Sequence, residues 1–244
     1  MKPATILVTG ASRGIGRAVA LRFAREGYHV AATACTDEAG LCSLKEEILA
    51  MHGSCLTFLA DAASHPAMEA VIGELLQLWG HIDILVNNAG IASLGLFTDM
   101  LPADYERLIS VNLLSVLHCC SLCVPSMVKR RSGRIINISS VWGISGASCE
   151  AAYSASKGGV NSFTRALAKE LAPSGIAVNA LACGVVDTQM NRAHLTEDEL
   201  DALAEQIPVG RAAAPEEAAD AVWQLALSPL YLTGQVIAFD GGFL

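Results

Sequence analysis

Short apolar runs alternate with stretches of helical periodicity along the whole chain. The apolar runs predict strands at 5–8, 28–33, 55–60, 82–86, 134–138, 176–181 and 235–239. The periodic stretches predict helices at 15–26, 37–52, 66–79, 105–129 and 152–171. The runs are continuous rather than alternating, which is typical of a sheet covered by helices on both faces. The repeated strand–helix order therefore predicts an α/β fold with a seven-stranded, parallel, doubly wound sheet.

The pattern gives no reason to divide the chain. No internal repeat, linker or low-complexity stretch interrupts the 244 residues, so we expect a single domain over 1–244. The irregular part is 184–211, where a short helix near 197–206 lies between loops. Because it follows the carboxyl end of a strand, this insertion is predicted to form a substrate lid at about 185–211.

Composition narrows the classes of function. Hydrophobic residues make up 52% of the chain and charged residues 16%, which excludes disorder. The net charge of −8 leaves no broad basic face for nucleic acid. No apolar run approaches the ~20 residues of a membrane span. Strand-like sequence begins by Ala4 and leaves no room for a signal peptide, so we expect a cytoplasmic protein.

The eight cysteines lie mostly inside apolar segments. Cys120 and Cys123 form a C-x-x-C pattern, but no second ligand pair follows at the spacing of a zinc site. We interpret them as small hydrophobic residues of a long helix and predict no metal.

Two motifs carry chemistry. Tyr153 and Lys157 are four positions apart, which places a phenol and an ammonium on one face of a helix. A nearby cation favours the phenolate and brings the phenol proton within reach of catalysis. The glycines of Thr9–Gly16 stand between a predicted strand and a predicted helix, the context in which a glycine loop binds a dinucleotide pyrophosphate.

Together with Asn87-Asn88-Ala89-Gly90, Ser140 and Asn112, these motifs resemble the short-chain dehydrogenase/reductase family over the full chain. The resemblance implies a three-layer Rossmann fold. It also implies that Tyr153 protonates the carbonyl oxygen and that Ser140 hydrogen-bonds it, with Ser139 as the structural alternative. Lys157 would lower the Tyr153 pKa and hold the nicotinamide ribose, and Asn112 would position a water. The implied cofactor contacts are Gly10, Ala11, Ser12, Arg13, Gly14, Ile15, Gly16, Cys35, Asp61, Ala62, Asn88, Ala89, Gly90, Tyr153, Lys157, Val186 and Thr188.

The charge near the second strand favours NADPH over NADH. The stretch 33–36 carries no acid to bind ribose hydroxyls, and Arg13 could pair with a 2′-phosphate. The alternative for Arg13 is an ordinary solvated loop cation.

Two substrates remain open. The chain is similar to bacterial 3-oxoacyl-acyl-carrier-protein reductases, which implies fatty acid biosynthesis and an acidic carrier partner. Lys129-Arg130-Arg131 is a candidate docking patch, although a basic helix end that complements the helix dipole explains it equally well. Pro173-Ser174 stands where that family often has a second basic residue.

The stretch 140–150 also resembles a reductase branch acting on a 5-aminopentanone group of elongation factor P. There, Glu150 could pair with an amine, or it could simply favour a helix N-terminus. A third hypothesis is a non-catalytic NADP(H)-sensing scaffold. The family usually has Pro-Gly where this chain has Cys183-Gly184, and Cys183 could be oxidation-sensitive or a buried spacer. The resemblance further implies a homotetramer.

Overall fold

A computed structural model describes residues 4–193 and 196–244. Among these residues, seven strands form one parallel sheet, and each lies within two residues of a predicted apolar run. The strands are β1 (Thr5–Val8), β2 (His29–Ala34), β3 (Ser54–Leu59), β4 (Ile84–Asn87), β5 (Gly133–Ser140), β6 (Ile176–Cys183) and β7 (Val236–Phe239). The seven-stranded, parallel α/β fold predicted from the sequence is thereby confirmed.

The strand order is β3-β2-β1-β4-β5-β6-β7, so the direction of winding reverses between β1 and β4. At such a switch point, the loops that leave the two strands diverge and open a crevice at the carboxyl edge of the sheet. The topology therefore locates the candidate site before any side chain is considered.

Helices cover both faces of the sheet. They are α1 (Gly14–Arg25), α2 (Glu38–Ala50), α3 (His65–Trp79), α4 (Pro102–Ile109), α5 (Ser115–Arg130), α6 (Trp142–Ser145), α7 (Ala151–Leu171), α8 (Gln189–Arg192), α9 (Glu197–Glu205) and α10 (Pro215–Leu227). Helix α10 was not predicted from the sequence, although Pro215 and two glutamates in the first turn are typical of a helix start. It packs on α1, where the rings of Phe23, Tyr28 and Trp223 meet edge to face.

The predicted long helix over 105–129 is interrupted. A π-helical turn, Ser110–Leu114, separates α4 from α5, and the backbone stays helical from Pro102 to Arg130. This 29-residue stretch contains an 18-residue window with mean hydropathy 1.8, so it is long and apolar enough to cross a bilayer, contrary to the expectation that no segment would be. Cys119, Cys120 and Met127 pack it into the core against the sheet, and a core helix satisfies the same criteria of length and composition.

The segment predicted as a lid leaves β6 and returns to its own starting point. A parallel bridge joins Val186 to Ala213, with backbone bonds of 2.8 Å (Asp187 N to Ala213 O) and 3.0 Å (Ala213 N to Val185 O). Helices α8 and α9 lie between these ends, and residues 194–195 of the predicted lid lie outside the described residues. The segment is therefore a loop closed at its base, and its role as a moving lid stays a prediction.

Candidate active site

A cavity of about 600 Å³ opens at the carboxyl ends of the strands, at the switch point. Its wall runs from the glycine loop past the ends of β2 and β3 to Ser140, Tyr153 and Lys157. Most predicted site residues line it: Gly10, Ser12, Arg13, Gly14, Ile15, Cys35, Asp61, Ala62, Asn88, Ala89, Gly90, Ser140, Tyr153, Lys157, Val186 and Thr188. The fold thus joins residues from six strand ends in one groove.

Ala11, Gly16 and Asn112 lie behind this surface rather than on it. Ala11 is fully buried, and its N–H donates to the Thr33 carbonyl at 2.8 Å, because the tight turn directs this residue into the core. Ala11 was predicted to contact the cofactor, and its position instead gives it a role in shaping the loop. Gly16 likewise packs inside the turn.

Backbone proximity explains the glycines of the loop. Gly10 has φ +64°, and a Cβ atom there would lie 2.8 Å from the Ala89 Cα. A Cβ atom on Gly16 would lie 2.4 Å from the Gly10 carbonyl oxygen and from the Asn88 amide nitrogen. Arg13, which precedes α1, makes no side-chain bond to the first N–H groups of that helix. These amides face a cradle that side chains would fill, which fits a dinucleotide pyrophosphate.

Asn88 holds the loop in place. Its side-chain amide donates to the carbonyls of Thr9 and Gly10 at 2.9 and 2.8 Å, while the Thr9 hydroxyl accepts from the backbone N–H groups of Asn88 and Ala89. The ends of β1 and β4 are therefore tied together by side chains on the floor of the cavity. This makes Asn88 a positioning residue for the loop as well as a lining residue.

The groups that bear on cofactor choice lie at the end of β2. Cys35 follows this strand directly and is exposed to the cavity. Asp37 accepts the Gly40 N–H at 3.0 Å as the N-cap of α2, and this bond together with one to Ser12 holds its pKa below the ordinary value. The exposed Arg13 guanidinium donates to the Gln189 side chain at 3.3 Å and contributes to the lowered Asp37 pKa.

Tyr153 and Ser140 meet at the inner end of the cavity. Burial raises the pKa of the Tyr153 phenol well above its usual value, and the nearby Glu150 carboxylate adds to this increase. A hydrogen bond with the Ser140 hydroxyl acts in the opposite direction. The phenol is therefore protonated at neutral pH, the state that a proton donor requires.

Lys157 is 5% exposed, and its Nζ donates to the Ile138 carbonyl at 2.9 Å. Burial lowers its pKa to about 8. Nζ lies 5.7 Å from the centre of the Tyr153 ring. The expectation that Lys157 lowers the Tyr153 pKa is not what dominates here, since removal from water disfavours the charged form of both groups.

The π-helical turn places Asn112. Its buried side chain accepts the Ile91 N–H at 2.8 Å and donates to the Ile91 carbonyl at 2.9 Å and to Ser156 at 3.1 Å. Single-turn π-helical insertions are often found at functional sites. The side chain thus clamps the wall of the cavity to α7, and its role in positioning a water stays a prediction.

Three further residues from the sequence analysis have defined places. Ser139 donates to Asn161 at 2.6 Å in the core, in agreement with a structural role. Burial raises the Cys183 pKa to about 12, so this thiol is not activated for oxidation. Arg130 pairs with Asp83 at 2.8 Å, just before β4 and therefore at the amino edge of the sheet. The Lys129–Arg131 patch lies at the opposite edge from the cavity of the same chain.

The geometry of the site agrees with the similarity of the chain to proteins of known family. A sequence profile of the short chain dehydrogenase family matches residues 4–199. The chain belongs to this family. It is 38% identical over 241 residues to the uncharacterized oxidoreductase YmfI of Bacillus subtilis (98% of each chain), and 40% identical over 239 residues to the 3-oxoacyl-[acyl-carrier-protein] reductase FabG of Thermotoga maritima (98% and 96%). A crystal structure of a point variant of actinorhodin polyketide ketoreductase with NADPH has a TM-score of 0.94 and 34% identity, covering 99% of this chain and 97% of that one.

The protein is accordingly a short-chain dehydrogenase/reductase, an oxidoreductase acting on CH–OH and C=O groups, with a nicotinamide cofactor. Sequence reasoning missed several residues that line its cavity: Asp37, Ile91, Ala92, Arg107, Val111, Gln189, Met190 and Asn191. Arg107 and Val111 lie four apart on the continuous helix that carries Asn112, so their spacing indicates a shared face but not that this face meets the cavity.

Proposed function

We propose that this short-chain dehydrogenase/reductase uses NADPH to reduce a ketone to a secondary alcohol. The observation that carries the proposal is the meeting of Ser140, Tyr153 and Lys157 at the inner end of the cavity that the glycine loop begins. When bound, the nicotinamide cofactor supplies the hydride for the carbonyl carbon.

The side chains of the site provide the proton and the charge stabilisation. The Tyr153 phenol donates its proton to the carbonyl oxygen, and the Ser140 hydroxyl donates a hydrogen bond to the same oxygen. Lys157 supplies a positive charge beneath the phenol, held in place by the Ile138 carbonyl. Ser140 and Lys157 are buried and Tyr153 is partly buried, so hydrogen bonds to a developing oxyanion form with little water nearby, where they are strong. Loss of NADPH oxidation in Tyr153→Phe, with a ketone that the unchanged enzyme reduces, tests this assignment.

The preference for NADPH rests on three residues at the end of β2 and in the glycine loop. Cys35 offers no carboxylate for the ribose hydroxyls, the Asp37 carboxylate is engaged in capping α2, and Arg13 is available to a 2′-phosphate. The similar actinorhodin ketoreductase was crystallised with NADPH. We expect kcat/KM for NADPH to exceed that for NADH, and Arg13→Met to remove most of the difference. Equal values in the unchanged enzyme would show that the preference is wrong.

For the substrate, the relatives named 3-oxoacyl-[acyl-carrier-protein] reductase support a 3-oxoacyl thioester and a place in fatty acid biosynthesis. The position of Lys129–Arg131 gives no support to carrier docking within one chain, since Arg130 is paired with Asp83. NADPH oxidation with an acetoacetyl thioester, free and carrier-bound, tests this substrate class directly.

A second substrate class is favoured by Glu150, whose carboxylate lies close enough to the Tyr153 phenol to raise its pKa. An acid at this place could bind the ammonium of an aminoketone, such as the 5-aminopentanone group on elongation factor P. Glu150→Gln should then lower kcat/KM for an aminoketone but leave it unchanged for a neutral ketone of similar size. Equal effects on both ketones would exclude the pairing.

The alternative of a non-catalytic, NADP(H)-sensing scaffold would gain support if no ketone in a broad panel caused NADPH oxidation. We further propose that the protein acts as a cytoplasmic homotetramer with α5 and α7 paired between subunits. Exposed apolar residues on and beside α5, Leu114 and Val128, support this assembly. Mass measurement in solution at several protein concentrations tests it.

A further inference from the structure

Three cations line the cavity within the described part of the chain, and each lies at a different place. Lys157 is at the inner end beside Tyr153, and Arg13 is in the glycine loop beside Asp37. The third, Arg107, lies beside Asp61 at the end of β3 and has no part in the chemistry described above. Arg107 is therefore the cavity cation whose purpose the proposed reaction does not explain.

Arg107 comes from α4, one helical turn before Val111, which lines the same cavity. Its guanidinium pairs with the Asp61 carboxylate at 2.9 Å, at the end of β3. The other oxygen of Asp61 accepts the Ala63 N–H at 3.0 Å. Asp61 is thus held by a backbone amide, and its other oxygen holds Nη1 of the guanidinium beside the cavity.

A pair of this kind contributes little to stability. The two side chains are 49% and 32% exposed, and ion pairs in such positions are worth about 0–1 kcal/mol. What the pair does provide is orientation, because an in-plane contact at Nη1 leaves the flat, cationic face of the guanidinium open to a ligand. Arg107 lines the cavity together with Asp61 and Ala62.

We propose that Arg107 is an adenine-binding residue, which stacks its guanidinium on the purine ring while Asp61 holds it in place. The inference rests on the proposed function, which places the 2′-phosphate of NADPH at Arg13 and the end of β2. The adenine is attached to the same ribose, and the end of β3 is the neighbouring strand end on the side away from Tyr153. An arginine that stacks on an aromatic ring gains from attraction to the π face as well as from apolar contact. Val111, on the same face of the helix, forms the apolar part of this wall.

Binding of cofactor fragments separates this role from the others. We would measure the Kd of AMP and of 2′,5′-ADP by calorimetry for Arg107→Met, Arg13→Met and the control Arg25→Met. Arg25 is an exposed arginine in the last turn of α1, and it does not line the cavity. Arg107→Met should weaken both ligands by a similar factor, roughly three- to thirtyfold. Arg13→Met should weaken only 2′,5′-ADP, and Arg25→Met neither.

A third ligand tests whether Arg107 acts on the ring or only through Asp61. Purine riboside 5′-phosphate lacks the 6-amino group that a carboxylate could accept from, so the effect of Arg107→Met should persist with it. Arg107→Lys should also weaken AMP, because an ammonium has no planar face. Thermal unfolding of each variant confirms that it folds.

Equal AMP affinity in Arg107→Met and Arg25→Met would overturn the inference. The Arg107–Asp61 ion pair would then serve only to connect α4 to the end of β3. Wild-type binding by Arg107→Lys would overturn the stacking. If the unchanged protein bound neither AMP nor 2′,5′-ADP, the proposed cofactor site itself would be wrong, which is a different result from an intact site without a role for Arg107.

Discussion

Lys157 should contribute less to the stability of the protein at neutral pH than in mild alkali. The ammonium is buried, and no ion pair among the described residues includes it. Its pKa is lowered by burial from 10.5 to about 8 in the folded state. Since one pH unit corresponds to about 1.4 kcal/mol, keeping this group charged in the fold costs about 3 kcal/mol.

The sign follows from proton binding. Between about pH 8 and pH 10.5 the unfolded chain holds a proton on Lys157 that the folded chain has released. Stability rises with pH wherever the unfolded state binds more protons. The contribution of Lys157 to the free energy of unfolding therefore increases by about 2.5 kcal/mol from pH 7 to pH 10.

The perturbation is Lys157→Met, which keeps an unbranched side chain and removes the charge. At any single pH, the change in the free energy of unfolding has two parts. One is the removal of the buried charge, and the other is the loss of the hydrogen bond to the Ile138 carbonyl, which costs about 1–3 kcal/mol. The difference between the two proteins across pH is free of that term. Other groups that titrate in this range are present in both proteins and cancel from the difference.

The assay is urea unfolding of both proteins at pH 7, 8, 9 and 10, at one ionic strength and one protein concentration. The unchanged protein should gain about 2.5 kcal/mol relative to Lys157→Met across this range. Lys169→Met, on the exposed face of the same helix, should run parallel to the unchanged protein. Parallel curves for Lys157→Met would refute the reasoning, since they would mean that Lys157 titrates alike in the folded and unfolded states.

Two further predictions concern the loop and the amino edge of the sheet. Gly16→Ala should abolish cofactor binding and lower the melting temperature, because the new Cβ atom would lie 2.4 Å from the Gly10 carbonyl oxygen. Gly73→Ala is the matched control, because a Cβ atom at this position in the middle of α3 has no neighbour within 4 Å. This substitution should stabilise the protein by about 0.5–1 kcal/mol. A lower melting temperature for this control would contradict the contact argument. Asp83→Asn should destabilise by about 1–3 kcal/mol at pH 7 in urea unfolding without weakening NADPH binding, because Asp83 accepts from Arg130 and Thr5 far from the cavity. Burial raises the Asp83 pKa, but the hydrogen bonds outweigh burial, so the pKa is lowered in the folded state. The stabilisation by Asp83 is therefore present above the unfolded-state pKa and should fade as the pH falls through the folded-state pKa. A difference between Asp83→Asn and the unchanged protein that does not vary with pH would argue against this origin.

Much of the site was predictable because its residues are tied to local structure. The glycine loop must follow a strand and precede a helix, and Tyr153 and Lys157 must share a helix face, so both could be located from spacing alone. Helix α10 was also within reach, since it begins with Pro215 and two glutamates. It was missed because the segment follows the irregular insertion and carries no chemistry that would draw attention to it.

Arg107 shows what local reasoning does not reach. It joins the site only because β3 ends beside α4, and its partner Asp61 is distant in sequence. Asn112 shows the same, since its side chain is bonded to Ile91 and Ser156 through a π-helical turn that no hydrophobic pattern indicates.

The amino-acid sequence by itself determined the order of strands and helices, the family and the identity of the reactive groups, because periodicity and short motifs are local. The tertiary structure decided the electrostatics. Whether Tyr153 is protonated and Lys157 is charged depends on how much water the packed strands and helices exclude, and that is set by residues from every part of the chain. The tertiary structure also decided which cations face the cavity and which lie at the opposite edge of the sheet. In a parallel sheet, residues at the carboxyl ends of the strands are separated from those at the amino ends by about the length of a strand.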